Sequence, residues 1–509
     1  MIRAFVSVSL WTLLSRITGF LRDILLARLL GASLLMDAFA VAFRLPNHFR
    51  AIFGEGAFSS AFVPAYARIR TQAGEQASRR FQGEVLTLML IAQGLLLALV
   101  LAFTPGFIRL LAPGFSSGPA MTLAVELTRI TFPYLALVSL VVLWTGVLNA
   151  EKRFAAGAAA PVLLNFAMIS TLLMAGFFAT GAHAAAWGVL IAGVLEAGLL
   201  AIAAFRAGLL APPVWPRWNG ELARFFRAFG PAVIGSAGVQ IAMLADTIIV
   251  TFLPPGGASS LYYADRLYQL PIGVIAVAAG TVLLPEMSKR LAAGDEAGAH
   301  RAQNQSLAIS LALAIPFTAA FLFIPEAIIA GFFGYGAFGE EAVRNASAVL
   351  AAYGWGLPAV VAIRSLVASF HARGDTQTPL YASVTAIALN LFLKMLFWRD
   401  YGAAGLAFAT AMGAIANAVI LGTLAIRQKK AGPDAELALQ LAISVIGTIW
   451  LVATLLLVRE LFGSRVGGLP AFLMLGIYTL SAALAYGGIL FFCARIAHLP
   501  LRLRDAQRL

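Results

Sequence analysis

Apolar residues in this chain arrive in blocks of about twenty, repeated from one end to the other, and few folds accept that pattern. Twenty residues is the length a helix needs to cross a hydrocarbon layer about 30 Å thick at about 1.5 Å of rise per residue. The composition agrees: of 509 residues, 61% are hydrophobic and only 12% are charged, with a mean hydropathy of +0.88. A soluble domain would leave much of that surface in water, whereas lipid solvates outward apolar faces. The sequence therefore reads as an all-α integral membrane protein with about fourteen transmembrane helices.

The spans read as 4–28, 33–66, 85–110, 122–149, 159–180, 184–206, 228–253, 260–288, 304–330, 344–371, 379–398, 403–426, 436–458 and 469–495. Pro46, Gly54 and Gly56 interrupt the second, which predicts a bent helix or a helix pair there. The stretch Met1 to Phe20 imitates a signal peptide, but Arg16, Arg22 and Asp23 follow within the same block and no small-residue cleavage site ends it. It is expected to be a retained first helix. The single cysteine, Cys493, excludes an intramolecular disulfide and any cysteine-rich metal site.

A net charge of +13 would suggest nucleic acid in a soluble protein. Here the positives sit in short loops, so topology explains them and nucleic-acid binding is not expected. One alternate set of loops holds Arg68, Arg70, Arg79, Arg80, Lys152, Arg153, Arg206, Arg217, Arg224, Arg227, Lys289, Arg290, Arg301, Arg373, Arg427, Lys429 and Lys430. The opposite set offers only Arg109, Arg344, Arg399, Arg459 and Arg465. By the positive-inside rule the rich set is cytoplasmic, so both termini are cytoplasmic and the span number is even.

An internal repeat at an offset of 225 residues is visible in Leu45-Pro46 and Leu270-Pro271, Pro133 and Pro358, and Asn165 and Asn390. An offset of six helices makes the halves parallel repeats, the arrangement transporters use to rock around a central cavity. The expected division is an N-lobe at 1–215, a C-lobe at 216–430, and two further helices with a cytoplasmic tail at 431–509.

Ionisable groups inside spans are expensive, so they pair with one another or line a wet cavity. The first span carries Arg16, Arg22 and Asp23; the second carries Asp37, Arg44, His48, Arg50 and Glu55; the eighth carries Asp265 and Arg266. Two readings compete: structural ion pairs with snorkelling ends, or a cavity that holds an anion. Snorkelling suits Arg3, Arg28, Lys394 and Arg399, near span ends. Arg16, Arg22, Arg50 and Arg266 fit an anion site better, because the arginine fork donates paired hydrogen bonds to phosphate and keeps its charge. Asp23, Asp37, Glu55 and Asp265 could then orient those arginines or exchange partners with them, with Arg44 in support. Asp246 sits alone in the seventh span and is either a protonated, satisfied group or a proton or sodium site. His48 and His371 lack metal-ligand companions, so no metal is expected. No Gly-x4-Gly-Lys-Ser/Thr loop is present, so ATP is not the direct drive. Nor is there an Asp-rich motif of the kind that holds magnesium on a diphosphate in a membrane transferase.

Several motifs together resemble the MurJ/MviN family. They are Ser15-Arg16, Gly19-Phe20, Arg22-Asp23, Asp37-Ala38-Phe39, Leu45-Pro46-Asn47, Glu55-Gly56-Ala57-Phe58, Phe62-Val63-Pro64 and Tyr262-Tyr263-Ala264-Asp265-Arg266-Leu267. Ala112-Pro113-Gly114-Phe115, Phe132-Pro133-Tyr134 and Leu284-Pro285 also fit, so the resemblance covers nearly the whole chain. It implies a fourteen-helix flippase of the multidrug/oligosaccharidyl-lipid/polysaccharide exporter superfamily, not an enzyme. The implied substrate is lipid II, the undecaprenyl-diphosphate-linked disaccharide-pentapeptide of peptidoglycan. The family's essential arginines map onto Arg16, Arg22, Arg50 and Arg266, and its important acids onto Asp37 and Glu55. The last two helices would form a groove for the polyprenyl tail. No cofactor is implied; coupling would be to membrane potential, sodium or protons. Protein partners would be those of cell-wall synthesis and division. A cation-coupled exporter or an O-antigen lipid flippase of the same superfamily is the nearest alternative, and a polyprenyl-phosphate membrane enzyme a remoter one.

Overall fold

The structure is a computed structural model that describes residues 2–50, 57–115, 118–428, 432–463 and 470–496. At 2–5, 45, 47–50, 234–243, 276–282, 462–463 and 490–496 it describes the backbone alone. The regular secondary structure of the described residues is helical, and the described residues of each expected span fall mainly in helix. Nine helical stretches among the described residues are long and apolar enough to cross a membrane. The chain is an all-helical, multi-pass membrane protein.

It divides into two compact units, Met1–Ser259 with Gly336–Phe338, and Ser260–Tyr335 with Gly339–Leu509. The first contains α1 (Ile2–Leu30), α2 (Leu34–Arg50), α3 (Ala57–Ala102), α4 (Thr104–Leu111), α5 (Pro119–Thr131), α6 (Tyr134–Ala150), α7 (Ala155–Leu173), α8 (Gly181–Arg206) and α9 (Gly220–Val250). Compactness thus groups α9 with the helices before it, whereas the repeat in the sequence assigns the seventh span to the following lobe. In the second, interrupted span α2 runs through Pro46 to Arg50 and α3 is described from Ala57, and Gly54 and Gly56, where a break was expected, lie outside the described residues. At Gly74 the backbone leaves the helix (φ 84°, ψ −175°), so α3 comprises a shorter and a longer helix. Within this unit α7 packs on α8 and α1, α6 on α8 and α3, α2 on α5, and α3 on α9.

Small residues make these contacts close. Ala184, Ala185 and Ala186 are fully buried in α8, and a Cβ on Gly188 would stand 2.8 Å from the Met168 Cα on α7. A Cβ on Gly146 would stand 3.0 Å from the Phe62 ring. Lipid tails are as apolar as leucine, so tight backbone approach supplies the attraction that water supplies in soluble proteins.

The second unit contains α10 (Gly257–Ala292, its first turn grouped with the first unit), α11 (Glu296–Phe323), α12 (Pro325–Phe333), α13 (Glu340–Gly354), α14 (Leu357–His371), α15 (Gln377–Arg427), α16 (Ala435–Gly463) and α17 (Ala471–Ile496). Two expected spans fall on α15, which is broken at Gly402 (φ 54°, ψ −134°). The final pair, α16 and α17, packs against itself and lies on α11 and α12 respectively. Both keep large apolar side chains exposed, among them Ile446, Ile449, Trp450, Leu480 and Leu484. Polar caps start several helices: the Asn219 carboxamide accepts from the Leu222 amide at 2.8 Å for α9, and the Asp434 carboxylate from the Leu437 amide at 2.7 Å for α16.

Candidate functional site

In the first unit, Arg16 lies halfway along α1 and is exposed. Six residues on, Arg22 and Asp23 are buried at 8% and 3% exposure. The Arg22 guanidinium donates to Asp23 Oδ1 through Nε and Nη2, at 3.1 and 2.8 Å, and through Nη1 to Asn165 Oδ1 at 2.9 Å. The Asn165 amide in turn donates to the Ser15 carbonyl at 2.8 Å and the Thr18 hydroxyl at 3.1 Å. Low dielectric makes such a network strong when its members are satisfied. Arg22 is thus held beside a carboxylate that matches its charge, while Arg16 stands on the open side of the helix.

Asp37 on α2 is 4% exposed, and both of its oxygens are occupied by main-chain donors. The Gly256 amide donates to Oδ2 and the Ser259 amide to Oδ1, each at 2.7 Å. Two N–H groups at a helix start are a natural carboxylate cradle. The neighbouring backbone is equally tight: a Cβ on Gly256 (φ 90°) would lie 2.8 Å from the Ala32 carbonyl oxygen. The geometry makes Asp37 a brace between the α1–α2 corner and the α9–α10 turn.

Arg44, seven residues on, is half-buried and donates from Nη1 to the Thr247 hydroxyl at 3.4 Å. Thr247 adjoins Asp246 in α9. The side chain of Arg50 and all of Glu55 lie outside the described residues, as do the side chains of His48 and Arg3.

In the second unit, Asp265 and Arg266 are half-buried in the third turn of α10. The Arg266 Cζ lies 4.6 Å from the centroid of the Tyr262 ring, four residues earlier, a cation–π distance. Asp265 accepts from the Gln269 amide one turn later. Lys394, expected to reach a headgroup layer, is instead buried at 4% exposure in α15. A lysine four residues from an expected span end can snorkel only if its stem is on the lipid face, and this one is packed inward. Arg399 stays exposed, with its Cζ 5.1 Å from the Trp398 ring.

Two buried acids, Glu84 and Glu196, escaped the sequence reading, and the second lies within a span. Glu196 on α8 accepts from the Tyr134 hydroxyl at 3.2 Å, and both residues are buried. Its signal was available, a single carboxylate within an apolar span, but no motif drew attention to it.

The comparisons with known proteins fit this arrangement. A family model described as "Lipid II flippase MurJ" matches residues 26–477. A protein of Rhizobium meliloti (strain 1021), named as a probable lipid II flippase MurJ, is 37% identical over 462 residues, covering 89% of this chain and 86% of its own. Another from Burkholderia cenocepacia, named a lipid II flippase MurJ, is 34% identical over 426 residues, covering 82% of each chain. Among solved structures, one titled "Lipid II flippase MurJ, inward closed conformation" superposes with a TM-score of 0.82 at 26% identity, covering 97% of this chain and 99% of that one. A multidrug resistance MATE family transporter of the MOP superfamily superposes at 0.69 with 16% identity, over 84% of this chain and 98% of that one, a likeness of fold. With the family match covering most of the chain and the fold following it throughout, the protein belongs to the MurJ family of membrane flippases, and is a transporter rather than an enzyme.

Proposed function

We propose that this protein carries lipid II from the cytoplasmic to the outer leaflet of the inner membrane by alternating access, with guanidinium groups neutralising its diphosphate. The family match and the relatives' names support the substrate. The observation that carries the mechanism is Arg16, an exposed guanidinium halfway along a helix of 29 residues. At that depth a charge facing hydrocarbon costs several kcal/mol or more, so it faces water or an anion. A diphosphate crosses a low-dielectric layer only where fixed positive charge replaces its lost hydration.

Arg16, Arg50 and Arg266 supply that charge in this reading. Arg22 adds to it only by sharing or leaving Asp23. Asp23, Glu55 and Asp265 orient the arginines between substrate molecules, and Arg44 supports them. The polyprenyl tail stays in lipid against the exposed apolar faces of α16 and α17. Membrane potential, together with sodium or a proton, resets the cycle, and Asp246 is the candidate cation site. Cell-wall synthesis and division proteins are the partners this role calls for.

The test is complementation of a depleted strain, with labelling of lipid II in each leaflet. Arg16→Ala and Arg266→Ala are expected to insert normally yet lose about tenfold or more of transport, since a hydrogen bond to a charged group contributes roughly 1.5–3 kcal/mol. Lipid II then accumulates on the cytoplasmic leaflet. Full complementation by both variants would remove the guanidinium mechanism.

A further inference from the structure

The chain between α8 and α9 is built as a strap with two unlike edges. From Leu209 to Asn219 it has no helix, and Pro212, Pro213 and Pro216 limit its backbone freedom. One edge is fastened to α3. Leu209 and Ala211 are buried, the Val214 amide donates to the Gly83 carbonyl at 3.1 Å, and Arg79 Nη2 donates to the Leu210 carbonyl at 3.2 Å. The contact depends on a missing side chain: a Cβ on Gly83 would lie 2.5 Å from the Pro212 carbonyl oxygen and 2.9 Å from Val214 Cγ2.

The other edge is bare. Trp215 and Trp218 are each 76% exposed, with Arg217 exposed between them. Trp218 is held in place by stacking on Phe226, centroid to centroid 5.9 Å. Phe205 and Arg206 are exposed at the end of α8, and Arg227 on the first turns of α9. Two indoles fixed outward in water would be a poor arrangement. At the boundary of a bilayer they are favoured, since the ring is apolar and its N–H meets the wet headgroup layer. The strap joins two apolar helices directly, so that boundary is within reach, and it lies in the arginine-rich set of loops. Arginines there attract anionic lipid phosphates.

We propose that the 209–219 strap is an interfacial anchor: Trp215 and Trp218 insert at the level of the lipid glycerol, and Arg206, Arg217 and Arg227 bind phosphates of anionic phospholipids in the cytoplasmic leaflet. The occupant is bulk anionic lipid, not the transported substrate. Because the strap is pinned to α3 at Gly83, it sets the depth at which α3, α8 and α9 meet the membrane surface.

The experiment uses the full chain in vesicles of phosphatidylcholine brominated near the glycerol end of one acyl chain, with or without phosphatidylglycerol. Trp215→Phe with Trp218→Phe removes two of the eight tryptophans while keeping aromatic rings, and helix circular dichroism checks the fold. The emission lost in that variant is expected to be the blue-shifted share that brominated lipid quenches. Quenching of the intact protein is expected to rise when phosphatidylglycerol is present, and that rise to disappear in a variant carrying Arg206→Gln, Arg217→Gln and Arg227→Gln. If the lost emission is instead quenched by aqueous acrylamide and untouched by bromine, the strap faces water or a soluble partner and the proposal fails. A response to phosphatidylglycerol that is absent, or that survives the arginine substitutions, overturns the phosphate contact.

Discussion

The carboxamide of Asn165 joins three parts of α1, accepting from Arg22 and donating to the Ser15 carbonyl and the Thr18 hydroxyl. Asn165→Ala leaves buried donors and acceptors unmet, at roughly 1–3 kcal/mol. The expected result is a lower melting temperature in detergent with the protein still inserting; an unchanged melting temperature would show that the contact contributes nothing net. The pairing of Arg22 with Asp23 was visible as adjacent letters, but its third partner stands 143 positions away and gave no local sign. Lys394 shows the opposite failure. Its place near a span end suggested a solvated tip, and only the packing of α15 reveals that the stem turns inward.

Helices are where reading and structure agree most, because lipid imposes one length and one polarity on any segment that crosses it. Interruptions were harder. Pro46 looks like a break yet α2 continues through it, whereas the departures at Gly74 and Gly402 follow from backbone angles that the letter G permits but does not announce. Gly402 offers a clean test, since a Cβ there meets nothing within 4 Å and only its φ of 54° opposes a larger residue. Gly402→Ala should destabilise by about 1–3 kcal/mol. Gly94→Ala, in open space within α3 and without positive φ, should be neutral or stabilising by about 0.5–1 kcal/mol. Thermal unfolding of the two variants side by side checks the difference; equal shifts would mean the break at Gly402 carries no strain for alanine.

For the whole molecule, the asymmetry of arginine and lysine among alternate loops predicts that both ends face the cytoplasm. A fluorescent protein fused after Leu509 should mature and glow, and alkaline phosphatase at the same place should stay inactive; the reverse pattern would invert every loop named above. Charge carries this expectation of orientation, but it carries nothing of the long-range ties, since main-chain donors have no signature in a string of letters. Asp37 is the case in point. With both oxygens engaged by the amides of Gly256 and Ser259, it has little left to offer a passing headgroup. An asparagine there would keep one acceptor and turn an NH2 toward a donor, so even the nearest neutral mimic undoes half of the joint. If this aspartate is a rivet rather than a hand on the cargo, replacing it lowers the melting temperature together with transport; a transport defect at an unchanged melting temperature would return it to the substrate's path.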